Sequence, residues 1–161
     1  MELYTVGHSV HPGEYFLGLL RMHRIEILAD VRTFPGSRFH PQYNRKRLEA
    51  ALGEAGIEYH WLGERLGGRP GDPRFYPEGK RITPGYRFPR PDFGLMMQQD
   101  WFRQGIDELL AIAASGRTAI LCSEEDPERC HRKLLIAAYL AGHSPDVRVV
   151  HIRGNGRLEE N

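Results

Sequence analysis

Five short apolar runs, each ending at or beside a glycine or a polar group, alternate along this chain with stretches of helical periodicity. The runs are Leu3–Gly7, Ile25–Val31, Ile57–Leu62, Thr118–Cys122 and Val147–Ile152. At five to seven residues they suit buried strands better than helices. Between them, Pro12 to about Met22 puts Tyr15, Phe16, Leu19 and Leu20 on one helical face. Asn44 is placed to cap a helix running to about Ala55, with Gly56 at its C-terminal end. Phe93 to about Ala114 carries Trp101, Ile106, Leu109, Leu110 and Ala113 at helical spacing. Strand–helix–strand units pair parallel. The chain is therefore predicted to be α/β, a mostly parallel five-stranded sheet with helices on both faces. It forms a single domain over residues 1–153, followed by a polar, frayed tail at 154–161.

A parallel sheet makes the strand ends informative, because open α/β sheets bind ligands along their carboxyl edge. Those ends read Gly7-His8-Ser9, Asp30 with Arg32, Cys122 with Ser123 and Glu124, and His151 with Arg153. The densest of them lies within residues 118–140, TAILCSEEDPERCHRKLLIAAYL. There a strand closes on Cys122, and Asp126 and Pro127 read as the N-cap and first position of a helix. Cys130, His131 and Arg132 follow within that helix. Residues 63–91 are the odd stretch, with six glycines, six prolines and several Arg and aromatic residues. A loop of that length and make-up reads as a lid or binding flap.

Composition narrows the class of protein. At 161 residues the chain supports one full core. No apolar run approaches the 18 residues of a membrane span. The N-terminus lacks a secretory pattern, and two cysteines make no disulfide framework, so a cytoplasmic, reducing location is expected. Net charge is +1, which gives no global sign of nucleic-acid binding. Residues 32–90, however, hold ten Arg and two Lys against six acids, and Arg is the residue suited to bidentate phosphate recognition.

Several side chains admit two readings. Asp30 and Arg32 form either a structural ion pair or a carboxylate for acid–base work beside a phosphate-binding Arg. His8 and Ser9 either cap a loop or touch substrate. Ser37 and Arg38 are placed to hold an anion through backbone N–H and guanidinium groups. Cys122 is either a small buried hydrophobe or a thiol activated by nearby cations, with Glu124, Glu125, Asp126 and Glu128 opposing that activation. Cys130 pairs with Cys122 or, with His131, ligates a metal. Two Cys and one His fall short of the four-ligand structural zinc pattern, so no metal is expected, and the sequence clearly implies no other cofactor.

The succession Thr5-Val6-Gly7-His8-Ser9, Asp30-Val31-Arg32 with Pro35 and Ser37, Leu66-Gly67-Gly68, Cys122-x-Glu124 and Cys130-His131-Arg132 resembles domain-of-unknown-function family number 488 over nearly the whole chain. The resemblance implies a compact bacterial or archaeal α/β domain whose cysteine-bearing C-terminal motif matters functionally; it implies no reaction. A weaker likeness is to rhodanese-type sulfurtransferases, where Asp-Val-Arg also follows an early strand and a Cys ends a later one. There the Cys heads a loop whose amides and cations cradle an anion, whereas this chain offers Ser-Glu-Glu-Asp-Pro-Glu. The C-x5-R spacing of cysteine phosphatases is missed as well, since position 128 is Glu.

The expected function is an enzyme of the hydrolase or nucleic-acid-processing class acting on a phosphate-bearing nucleotide or nucleic-acid substrate. Asp30 and Glu124 serve as the acid–base pair, with His8 and His131 orienting groups or relaying protons. Ser9, Arg32, Ser37, Arg38, Gly67, Gly68, Arg69, Tyr76 and Arg132 bind substrate. One alternative makes Cys122 the nucleophile or sulfur carrier, with Arg132 steadying its charge. Another is a binding module for a nucleotide or a partner protein. Oligomeric state has no signature in the sequence.

Overall fold

The computed structural model describes residues 1–76 and 90–161. Its sheet comprises β1 (Glu2–Gly7), β2 (Ile27–Asp30), β3 (Glu58–Trp61), β4 (Thr118–Cys122), β5 (Arg148–Ile152) and β6 (Leu158–Glu160), in the order β3-β2-β4-β1-β5-β6. The first five strands pair parallel, as the alternation with helices demands. The sixth strand is a correction to the predicted five. Residues 158–160 run antiparallel to β5, with Val150 opposite Glu160 and Ile152 opposite Leu158. A turn at Gly156, whose φ is +83°, sends the chain back, and Arg153 clasps Glu159 with a 2.6 Å ion pair. The tail is polar because it is a charged edge strand, a composition that keeps sheet edges from aggregating.

Side chains alternate along each strand and feed two cores. Helices α1 (Gly13–Met22) and α2 (Arg45–Glu54) cover one face, where Phe16, Leu20, Leu48 and Leu52 pack with Tyr4, Val6, Leu28 and Leu121. The other face is covered by α4 (Phe93–Met97), α5 (Asp100–Ala113) and α6 (Ala138–His143), after a short helical turn α3 (Gly63–Leu66). There Phe102, Leu109, Leu135 and Leu140 meet Leu3, Ala29, Val31 and Ile120. The chain thus leaves β2 toward one face and its neighbour β4 toward the other. Such a divergence opens a crevice at the carboxyl ends of the two strands.

Three element boundaries depart from the sequence expectation. The long helix over 93–114 is two, because Gln99 is extended (φ −82°, ψ 140°) and restarts the chain at Asp100. The helix expected from Asp126 is a single 3₁₀ turn, Pro127–Arg129, capped by Asp126. Cys130 is then extended (φ −130°, ψ 143°), and a wide π turn over Arg132–Ala137 leads into α6. Such π turns recur at functional sites. Within the stretch expected to be irregular, α3 and a 3₁₀ turn at Pro73–Phe75 bury Leu66 and Phe75 in the core. Arg81, Tyr86, Arg87 and Phe88 of the expected flap lie outside the described residues.

Candidate functional site

The crevice between β2 and β4 is a cavity of about 540 Å³, within the range of small-molecule sites. Cys122, at the last position of β4, forms part of its floor together with Cys130 and His131. Arg32, Arg69, Arg90 and Arg129 line it, as does Phe34, an aromatic side chain 72% exposed. Glu124 is exposed beside them.

His131 organises the floor. Its Nε2 lies 3.1 Å from the carbonyl oxygen of Val31, and a carbonyl only accepts, so Nε2 carries the proton. In a neutral ring Nδ1 then holds the lone pair, and Nδ1 faces both sulfurs, with Cys122 Sγ at 3.5 Å and Cys130 Sγ at 3.9 Å. Gly68 holds the ring from behind: a Cβ there would sit 2.6 Å from the His131 Cγ. The Cys130 thiol first, and then His131 and Arg132, bring the Cys122 thiol well below its usual value against burial, which raises it. Burial, followed by the adjacent Cys122 sulfur, pushes Cys130 well above. Burial pulls His131 down, yet the charge and hydrogen bond of Cys122 outweigh it and raise the imidazole. The three donor atoms lie within 4.8 Å of one another, the one group among the described residues positioned to hold a metal ion.

A buried polar layer adjoins the cavity through Arg32, which lines it. Asp30 is 0% exposed and accepts four hydrogen bonds: from the backbone N and Nε of Arg32 at 3.1 and 2.9 Å, from Arg32 Nη2 at 2.7 Å, and from the Tyr59 hydroxyl at 2.7 Å. Burial, with the Asp30 carboxylate adding to it, holds the Tyr59 hydroxyl protonated. Asp30 therefore has no oxygen left for substrate and does not line the cavity, and its pairing with Glu124 as acid and base is not assembled. The ion pair is structural, and what it positions is the Arg32 guanidinium.

His8 completes the layer. Its Nδ1 donates to the Ser9 carbonyl at 2.8 Å, so Nε2 accepts from Arg32 Nη1 at 3.3 Å, and the ring stacks on Tyr43. Burial first, and then the Arg32 cation, push its pKa down to about 4. His8 is thus neutral at pH 7 and orients Arg32 rather than relaying protons. An unfolded chain protonates this imidazole near 6.5 and the folded one only near 4. Between those values the unfolded state binds more protons, so stability falls as acid is added across that window. The expected loss is about 3 kcal/mol at most. Denaturation at pH 7 and pH 4.5 checks this, and His8→Gln should lose less between the two.

The remaining predicted contacts divide. Gly68 and Arg69 line the cavity, and the Arg69 amide donates to Thr33 Oγ1 at 3.1 Å. Ser37 does not meet the anion expected of it, since its amide is taken by Asn44 Oδ1 at 2.6 Å and its Oγ by the His40 amide. That bond also diverts Asn44 from capping α2 with its side chain. Arg38 is exposed outside the cavity. Ser9 sits at φ 48° with its amide on the Ser123 carbonyl, Gly67 packs on Gly63 and Thr33, and the Tyr76 hydroxyl donates to Pro70. Arg132 is 0% exposed, and its guanidinium reaches the carbonyls of Glu124 and Glu125, each at 2.5 Å. It shapes the loop that follows Cys122 and does not line the cavity. Phe34 and Arg90 escaped the sequence reading. Only the local oddity of an apolar residue inside a Pro- and Gly-punctuated loop pointed to Phe34.

Comparison with known proteins gives one positive result. The sequence model of the family described as "Domain of unknown function DUF488" matches residues 13–140. No curated protein and no solved structure matches the chain.

Proposed function

The chain belongs to the DUF488 family, and from that footing and the geometry of the crevice we propose that it is a hydrolase for a small phosphate-bearing substrate of the nucleotide class. The observation that carries this reading is one cavity that gathers four arginines, an exposed Phe34 and the Cys122–Cys130–His131 floor. Arginine supplies bidentate contacts to phosphate, and an exposed aromatic ring is a stacking platform for a base. Arg32 enters already oriented by Asp30 and His8, which limits the entropy lost when a phosphate is clamped. In the reaction a water oxygen bonds to the electrophilic centre over the floor while the bond to the leaving group breaks. Glu124, at the rim, transfers the water's proton to that leaving group.

A second reading is favoured by the 3.5 Å separation of Cys122 Sγ from His131 Nδ1. There the sulfur itself bonds to the electrophilic centre as the bond to the leaving group breaks, and His131 passes the thiol proton to that leaving group.

Calorimetric titration with nucleoside mono- and diphosphates, paired with chromatography of the products, tests the proposal. Binding should weaken as salt rises. Arg69→Ala with Arg90→Ala should weaken it at least about tenfold, in keeping with charged hydrogen bonds of about 1.5–3 kcal/mol. Glu124→Gln should keep the binding and lower turnover about 10²–10⁴-fold. Failure of every nucleotide to bind, or binding indifferent to both arginines, would refute it.

A further inference from the structure

We propose that Cys122, Cys130 and His131 form a binding site for one ion of the zinc class, with a coordination position open to the cavity. The inference deepens the hydrolase reading, and rests on it only for what the open position does.

Donor geometry is the first support. Sulfur and nitrogen ligands of a tetrahedral zinc ion, at bond lengths near 2.3 and 2.0–2.1 Å, stand roughly 3.6–3.8 Å apart. Around His131 Nδ1 the two sulfurs lie at 3.5 and 3.9 Å, and all three donors fit within 4.8 Å. The nitrogen–sulfur separations already suit a tetrahedron, and the two sulfurs need approach each other by no more than about 1 Å.

The orientation of His131 is the second. Metal-bound histidines characteristically donate their other ring N–H to a carbonyl or carboxylate, which fixes tautomer and ring angle. The Val31 carbonyl does this for Nε2 at 3.1 Å, and Gly68 leaves no space for the ring to swing back. Val31 directly follows β2 and His131 precedes the π turn, so the two sides of the crevice together aim Nδ1 at the sulfurs.

Ligand count and type are the third. Two thiolates and an imidazole are soft and borderline donors, a set that selects zinc over magnesium or calcium. Three protein ligands with a vacant fourth place are the pattern of catalytic zinc, whereas four close a structural site. Counting two Cys and one His against the four-ligand rule applies the wrong standard to residues that line a cavity. An ion held here acts as a Lewis acid and lowers the pKa of a bound water toward 7. The three donors line the same cavity as Arg69 and Glu124.

The test uses the full chain. Elemental analysis and native mass spectrometry of protein purified without chelator should give one zinc per chain. Cobalt(II) added to metal-stripped protein should produce the intense visible bands of a tetrahedral site and a sulfur-to-metal charge-transfer band. Cys122→Ser, Cys130→Ser and His131→Gln should each weaken zinc by more than about 100-fold against a chromophoric competitor, and Gly68→Ala by about 10–100-fold through the displaced ring. Circular dichroism shows whether each variant is folded, and the cobalt spectrum of the unaltered chain decides the matter should a variant fail to fold. Zinc should also protect Cys122 from alkylation. A cobalt spectrum without sulfur charge transfer, or alkylation equally fast with and without zinc, would overturn the site. Zinc binding without nucleotide binding would keep this inference and remove the hydrolase. Nucleotide binding without zinc would remove this inference and leave Cys122 to the thiol chemistry.

Discussion

Asp30→Ala is expected to lower the free energy of unfolding by about 3–5 kcal/mol, the range for breaking a buried ion pair by deleting one partner. The loss comes from what is left behind. Arg32 is 5% exposed and would keep its charge with only His8 Nε2 as a side-chain partner, and Tyr59 would lose the acceptor of its hydroxyl. Small domains have about 5–15 kcal/mol of stability in total, so this is a large share of it. Urea denaturation measures the effect. A partner variant gives the assignment its edge: Asp30→Ala combined with Arg32→Met removes both charges and should recover part of the loss. An Asp30→Ala chain as stable as the parent would contradict a structural role and return the carboxylate to acid–base chemistry.

That expectation also shows where the sequence was readable. The parallel sheet, both helical layers and the carboxyl-edge location of the site were legible because each follows from a local period or from a polar group ending an apolar run. Asp30 and Arg32 could be paired from their spacing alone. What spacing does not carry is how many acceptor positions on Asp30 are already filled, because the fourth donor, Tyr59, arrives from β3. The contact of Gly68 with His131 spans 63 residues and leaves no local mark. The edge strand at 158–160 was hidden for a different reason. Three residues are too few to show a period of two, and their charges, which signal a frayed end, are satisfied by Arg148 and Arg153. The 3₁₀ turn, extended Cys130 and π turn replace a regular helix because Arg132 draws the preceding loop toward itself by two carbonyls, a tertiary demand that overrides local propensity.

The same loop makes Gly7→Ala the second large effect, one to be expected at a residue that reads from sequence as part of a chemical Gly-His-Ser motif. A Cβ at Gly7 would lie 1.8 Å from the carbonyl oxygen of Glu124 and 2.6 Å from Arg132 Nη1. The first contact is with backbone and cannot be relieved by rotating a side chain. The loop after Cys122 must move, and with it go the two carbonyls that accept from Nη1 and Nη2 of the buried Arg132. Overpacking costs about 1–3 kcal/mol, and each buried polar group left unsatisfied adds about 1–3 kcal/mol. A destabilisation of about 3 kcal/mol or more is therefore expected in urea denaturation. Gly18→Ala, inside α1 where nothing lies within 4 Å of the new methyl, should instead stabilise by about 0.5–1 kcal/mol. Opposite signs for the two substitutions would fix Gly7 as the surface on which the cysteine loop is seated. A Gly7→Ala chain of parental stability would show that the loop is not held there.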